Sequence, residues 1–307
     1  MSNLKYSSKI LLFGEYCIVI NSCGFAIPYC LYKGSLRLNA GNKDRDSQKK
    51  ILGFIEYLKK KVKNLPDFDW ININKDKKNN LFFKSNIPQG YGLGSSGALV
   101  AAFYNRYVKN KILLDEKLTK NKIQILRNIF SEMESYFHGE SSGIDPLNCY
   151  LGLPILIKSQ NEIQITKMPE EKVLGYGGIF ILDSGNSSDT SSMVSVFFRK
   201  MEDENFNFMM KNQFTKYSKI CINEFLKGNI NSLFKSIKIL SEITLNNFQP
   251  MIPKKFAKLW DQGIRTNDYF FKLCGSGGGG FLLGFTLDIE NTFKTLEDYK
   301  KEIIYKF

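Results

Sequence analysis

The segment Pro88-Gln89-Gly90-Tyr91-Gly92-Leu93-Gly94-Ser95-Ser96 sets three glycines two residues apart and then opens onto a run that reads as a helix from about Ser95 to Val108. Glycine lets the main chain bring several N–H groups round one anion without interference from a Cβ. The N-terminus of the following helix adds its partial positive charge at the same spot. The segment therefore predicts a strand-to-helix turn shaped as a phosphate cradle, with Ser95 and Ser96 capping the helix and leaving a hydroxyl for a metal ion. No Lys-Ser/Thr follows the glycines, which excludes a Walker A loop, and their even spacing excludes the dinucleotide pattern G-x-G-x-x-G. Taken alone, the stretch also fits a glycine turn with no ligand. A second glycine-rich stretch, Gly275-Ser276-Gly277-Gly278-Gly279-Gly280, lies far downstream.

The 307 residues suffice for one large or two ordinary domains, and 43% hydrophobic with 24% charged residues is a normal globular balance. No apolar stretch approaches membrane-spanning length, and Met1-Ser2-Asn3-Leu4-Lys5 lacks the apolar region of a signal peptide. A cytoplasmic protein without membrane contact is expected. The six cysteines are scattered, without a C-x-x-C pair and with one histidine in the chain, so they read as reduced core residues. The net charge of +13 is carried by lysines interspersed with asparagines rather than by a dense basic block. A nucleic-acid partner is accordingly not expected, although such a field favours anionic substrates.

Lys9 to Gly14 and Tyr16 to Ile20 read as strands joined through Gly14-Glu15, with Leu36-Arg37-Leu38 extending the sheet. After a polar loop from Gly41 to Lys50, Ile51, Leu52, Ile55 and Leu58 form a helical stripe. Trp70 to Ile73 and Leu81 to Lys84 read as a hairpin around the tip Asn74 to Asn80. A helix from about Leu118 to Phe137 follows, then a loop from Glu140 through Asp145 to Pro146, and a hairpin of Ile155 to Ile157 and Glu162 to Ile165. Gly175-Tyr176-Gly177-Gly178 marks a boundary, which divides the chain into residues 1–174 and 175–307. The second part opens on a strand from Ile179 to Leu182 and is mostly helical to about Leu259. Strands Phe270 to Cys274 and Phe281 to Phe285, a helix near Leu287 to Tyr299 and a strand Ile303 to Tyr305 complete a mixed α+β architecture.

Four pieces stand in order: Lys9 to Glu15, the cradle ending in Ser95-Ser96, Glu134 ahead of His138-Gly139 and Asp145, and the C-terminal glycine loop. Together, as Lys-x5-Glu, P-x-G-x-G-L-G-S-S and E-x3-H-G-x2-S-G-x-D, they resemble the GHMP kinase superfamily and, within it, the mevalonate kinases of Bacteroidetes-type bacteria. The resemblance spans residues 9 to 280. It implies the two-domain GHMP kinase fold, an N-terminal domain similar to the second domain of ribosomal protein S5 plus a ferredoxin-like C-terminal domain, with substrates between them. The implied activity is phosphorylation of the C5 hydroxyl of mevalonate, with ATP and Mg²⁺ as cofactors; a homodimer is compatible with it.

The resemblance also assigns roles. Pro88, Gly90, Tyr91, Gly92, Leu93, Gly94, Ser95, Ser96 and Gly97 would wrap the nucleotide phosphates, and Ser96 with Glu134 would hold the metal. Asp145 would take the proton of the substrate hydroxyl, with Lys9 beside it. Glu15, Tyr16, Ser142, Gly143, Thr190, Gly275, Ser276 and Gly277 would face the substrate. Such chemistry needs an aligned hydroxyl, a nearby carboxylate and cations on the developing charge, which suits these residue types. Taken singly, Glu134 and His138 also fit a helix-end ion pair, Asp145 before Pro146 a turn or cap, and Lys9 a solvated lysine, while His138 reads as structural.

Three positions depart from the family pattern: Tyr16 where histidine is usual, Ser141 for proline and Gly97 for alanine. Phosphomevalonate kinase, diphosphomevalonate decarboxylase, sugar kinases, a non-catalytic sensor and an RNA-binding protein are the rival readings. A sensor would be expected to lack Lys9, Glu134 or Asp145, all of which are present.

Overall fold

The computed structural model describes residues 4–41, 44–61, 65–114, 118–172 and 174–307. The first apolar run forms β1 (Tyr6–Phe13), paired antiparallel with the long β2 (Gly24–Arg37). The expected strand Tyr16 to Ile20 is instead part of the turn between them. Tyr16 and Asn21 take φ near +60°, outside the extended region, so this stretch cannot continue a ladder. β2 takes its place in the sheet.

The polar loop after Gly41 is shorter than expected, because α1 (Arg45–Lys60) starts within it; Asn42 and Lys43 lie outside the described residues. Ile51, Phe54, Ile55 and Leu58 form its buried stripe. The expected first strand of the hairpin is a helix, α2 (Trp70–Lys78). The alternation Trp-Ile-Asn-Ile suggests a strand, yet Ile71 is 83% exposed and Ile73 is buried. Two interactions decide for the helix: the Asp69 carboxylate accepts the Asn72 N–H at 3.1 Å as an N-cap, and Asp76, one turn beyond Ile73, is buried on the same face.

β3 (Phe82–Ser85) pairs with the C-terminal half of β2, and α3 (Ser95–Tyr107) follows, its residues from Gly97 to Tyr104 all buried. Then come α4 (Lys120–His138), α5 (Ile144–Leu151), β4 (Ile155–Ser159) and β5 (Glu162–Ile165). The first sheet runs β1-β2-β4-β5, with β3 on the other end of β2. Asp145, expected in a loop, sits in the first turn of α5. Pro146 there breaks no hydrogen bond, since the first-turn N–H groups have no intrahelical acceptor.

The second sheet is antiparallel, built from β6 (Gly178–Asp183), β7 (Tyr269–Leu273), β8 (Phe281–Thr286) and β9 (Lys301–Lys306) in the order β7-β8-β6-β9. Five helices connect β6 to β7: α6 (Thr190–Met201), α7 (Glu204–Met209), α8 (Thr215–Leu226), α9 (Ile230–Asn247) and α10 (Ala257–Thr266). With α11 (Ile289–Thr295) between β8 and β9, this is the ferredoxin-like βαββαβ order with an enlarged first crossover. The mixed α+β architecture agrees with the sequence. The Phe13 ring meets Phe225 at 6.0 Å and Phe285 at 5.5 Å, joining both sheets in one apolar core. Cys17, Cys23, Cys149, Cys221 and Cys274 are buried thiols, whereas Cys30 on β2 is exposed rather than part of the core. No helix among the described residues is long and apolar enough to cross a membrane.

Candidate active site

β1 is fastened to the first glycine loop by the Lys9 N–H, which donates to the Leu93 carbonyl at 3.0 Å. The Lys9 ammonium, nearly fully buried, lies 2.9 Å from an Asp145 carboxylate oxygen, while the Asp145 side chain stays 32% exposed. Burial works against the charged lysine, but the attraction and hydrogen bond of Asp145 outweigh it and hold the Lys9 pKa above its usual value. Gly94 lies over this pair at φ +71°, and a Cβ there would come within 2.9 Å of Lys9 Cγ. Gly97 lets α3 and α5 touch at backbone distance: a Cβ at 97 would fall 2.7 Å from the Asp145 carbonyl carbon and 2.8 Å from Pro146 N.

The expected serine cap is absent. Gly94 itself is the N-cap of α3, without a side-chain cap hydrogen bond, and Ser95 and Ser96 lie inside the first turn. The Ser96 hydroxyl instead donates to Glu134 Oε1 on α4 at 2.9 Å, and the Ser141 hydroxyl donates to Glu134 Oε2 at 2.5 Å. Burial, reinforced by the neighbouring Asp145 charge, pushes the Glu134 carboxyl up to about 8, against the opposing pull of the two hydroxyls and Lys9. Ser141 also accepts the Gly143 N–H at 3.0 Å, and its carbonyl is held by the Ser131 hydroxyl. The Ser142 carbonyl accepts from Arg127 at 2.7 Å, and Gly143 presses on the backbone of α4. The side chain of His138 lies outside the described residues.

The two glycine-rich loops, far apart in sequence, meet in space. Gly92, at φ +75°, leaves room for the Cys274 carbonyl, and Gly275 abuts Gly92. The loop after β6 joins them: the Ser188 N–H donates to the Gly90 carbonyl at 3.0 Å and its hydroxyl to the Gly277 carbonyl at 2.6 Å. Tyr91 packs edge-on against Phe281. Pro88 leads into the cradle, and Leu93 fixes it in the core.

The structure does not bring all the expected residues into this centre. Glu15 is buried in an ion pair with Lys272 on β7, burial raising its pKa while Lys272 opposes that rise. Tyr16 is buried, stacked on Phe197 at 4.4 Å, and its hydroxyl donates to the Ser276 carbonyl at 2.6 Å. Both side chains brace the second loop. Thr190, the first residue of α6, is exposed and makes no hydrogen bond to Lys9, Glu134 or Asp145 among the described residues. Two contributors were missed from the sequence: Ser141, a small polar residue in a polar loop, and Lys272, whose place in the apolar run Tyr-Phe-Phe-Lys-Leu beside a glycine loop is the signal that could have found it.

Residues 49–152 match the family model described as GHMP kinases N terminal domain. This part of the chain is similar to the N-terminal domain of GHMP kinases. It contains the cradle, Glu134 and Asp145, with Lys9 before it and the second glycine loop after it. Among solved structures, L. major mevalonate kinase in complex with R-mevalonate is similar at a TM-score of 0.66 and 16% identity, over 98% of this chain and 95% of that one. Streptococcus pneumoniae phosphomevalonate kinase in complex with phosphomevalonate and AMPPNP gives 0.65 at 12%, over 99% and 100%. Lactococcus lactis galactokinase complexed with galactose gives 0.62 at 13%, over 98% and 92%. At these identities the likeness is one of fold, and the GHMP kinase fold covers nearly the whole chain. No curated protein matches the chain in sequence.

No group of three or more His, Cys, Asp or Glu side chains suited to a metal stands among the described residues. Ser96 and Glu134 nevertheless offer two hard oxygen donors from different helices at one point beside the cradle. That set suits Mg²⁺, which takes few protein ligands and keeps water and phosphate oxygens around it.

Proposed function

We propose that this chain transfers the γ-phosphoryl group of ATP to the C5 hydroxyl of mevalonate. The observation that carries the reading is the Lys9–Asp145 pair under Gly94, a buried cation and a partly exposed carboxylate at the mouth of a glycine-built phosphate cradle. The backbone from Gly90 to Ser96 and the open N-terminus of α3 suit the nucleotide phosphates. The substrate oxygen attacks the γ-phosphorus as the bond to the β–γ bridging oxygen breaks, and ADP leaves with that electron pair. The hydroxyl proton passes to Asp145. Lys9, 2.9 Å from that carboxylate, orients it and sets positive charge beside the reacting oxygens. Ser96 and Glu134 are the residues that would hold Mg²⁺, which when bound supplies charge neutralisation of the phosphoryl oxygens.

The Lys9 to Glu15 and Ser142 to Asp145 segments favour mevalonate over other small alcohols, because their pattern is that of mevalonate kinases. The fold likeness extends to a mevalonate kinase, a phosphomevalonate kinase and a galactokinase, so the choice among these alcohols rests on the two segments. We divide the chain functionally at residues 174 and 175, between the two sheets, and place the reaction in the cytoplasm. The test is ADP release by the purified protein with Mg·ATP and a panel of mevalonate, 5-phosphomevalonate, galactose and homoserine. Mevalonate is expected to give rapid release and the others little. Faster turnover of 5-phosphomevalonate or galactose would overturn the substrate, and silence across the panel would overturn the kinase reading in favour of a sensor.

A further inference from the structure

At the far end of α3 from the cradle lies a cavity of about 540 Å³, within the size range of small-molecule sites. Ten residues of helix separate Ser96 from Arg106, roughly 15 Å at 1.5 Å per residue, so the cavity is distinct from the phosphate cradle. Its walls join α2, α3 and the first two strands. Leu4, Tyr6 and Leu36 form an apolar side, and Lys75, Arg106 and Lys111 a cationic one.

The cationic side is built, because Arg106 is held rigidly from behind. Its Nε and Nη2 donate to a single oxygen of the buried Asp76, at 2.9 and 2.6 Å, and Nε also reaches the Tyr107 hydroxyl at 3.1 Å. The Tyr107 hydroxyl itself donates to the same Asp76 oxygen at 2.9 Å. This arrangement engages the inner edge of the guanidinium and leaves Nη1 without a hydrogen bond among the described residues. The side chain of Lys75, the neighbour of Asp76 in sequence, makes no hydrogen bond or ion pair among the described residues either. Lys111 is anchored through the Asn105 carbonyl. Three cations against one carboxylate leave the lining with an excess of two positive charges, with Lys75 carried by α2, Arg106 by α3 and Lys111 by the segment after α3.

We propose that this cavity binds a compact phosphate monoester, its dianionic head between Lys75 and the outer edge of Arg106 and its apolar body against Leu4, Tyr6 and Leu36. A dianion matches the excess charge, and a planar guanidinium with a free N–H beside an ammonium is a donor set that phosphate oxygens use well. The apolar wall separates such an ester from inorganic phosphate. The site is independent of the phosphoryl-transfer reading.

Calorimetric titration of butyl phosphate into the full-length protein, with and without saturating Mg·AMPPNP, tests it. Binding at one site is expected to persist with the nucleotide analogue present and to weaken about tenfold in Lys75→Gln, a loss of one favourable ion contact. Inorganic phosphate and butyrate are expected to bind more weakly than the ester. Arg106→Gln removes the partner of buried Asp76 and endangers the fold, so Lys75→Gln/Lys111→Gln, at exposed Lys75 and half-buried Lys111, is the second variant and should abolish the titration. Loss of all binding on adding Mg·AMPPNP, unchanged binding in the two lysine variants, equal binding of butyrate, or no binding of butyl phosphate would each overturn the proposal.

Discussion

Asp145 and Lys9 divide their burial unequally, the lysine inside and the carboxylate at the opening, which lets one end of the ion pair meet a substrate while the other is fixed by the core. Asp145→Asn keeps the shape and removes the proposed proton acceptor. A fall in kcat of roughly 10²- to 10⁴-fold with nucleotide binding retained is expected, and turnover near that of the native enzyme would remove Asp145 from the chemistry. Glu134 makes a separate prediction through its raised pKa. Its carboxyl titrates near 8 in the folded chain and near 4.5 when unfolded, so the native state holds the proton more tightly. Without metal, stability should therefore be greatest below the unfolded value, fall as pH rises through that window and level off above about 8. Urea midpoints between these pH values should show the decline, and Glu134→Gln should flatten it; an unchanged slope in the variant would assign the effect elsewhere. Added Mg²⁺ competes with the same proton, so its binding should strengthen as pH rises over that range.

At the scale of elements, α3 and α5 hold the site because they meet through Gly97. Alanine is the better helix former by about 1 kcal/mol, which alone would favour Gly97→Ala. The atoms that its methyl would strike belong to the backbone of Asp145 and Pro146, which cannot rotate away. Overpacking of this kind costs about 1–3 kcal/mol, so the variant should be neutral to destabilised, with kcat reduced more than its melting temperature suggests because Asp145 moves from Lys9. Paired kcat and Tm measurements would decide, and a more stable, fully active variant would contradict the packing. The same elements show why the sequence was only partly legible. Ser96, Glu134 and Asp145 stand in distinctive motifs, and the structure brings them beside Lys9. The helix α2 was hidden because its strand-like alternation is local, while the interactions that decide for a helix, the Asp69 cap and the Asp76–Arg106 pair, depend on partners that spacing does not reveal. Tyr16 misled for a related reason: an aromatic in an apolar run reads as extended, whereas its left-handed backbone goes with distant partners, the rings of Phe197 and Phe248 and the Ser276 carbonyl.

Across the whole molecule, the two glycine-rich loops can form one site only if the two sheets keep their relation, and the buried Glu15–Lys272 pair ties the end of β1 to β7 at that junction. Neither group has water to replace its partner, since both side chains are under 5% exposed. Lys272→Met should therefore destabilise the protein by about 3–5 kcal/mol, chiefly through the Glu15 charge left behind rather than through the worth of the contact itself. Glu15→Gln in the same background removes that charge, so the double variant should regain much of the loss, and the cycle should be strongly non-additive. The Tyr16 hydroxyl bond to Ser276 depends on the same alignment, so the single variant should also raise KM for the nucleotide as the second loop loosens over the first. Chemical denaturation of the two single variants and the double one, with KM measured on each, would distinguish the outcomes. Additive losses would mean that the pair is incidental packing, whereas recovery of stability and KM together would make it the brace that holds the phosphate cradle closed.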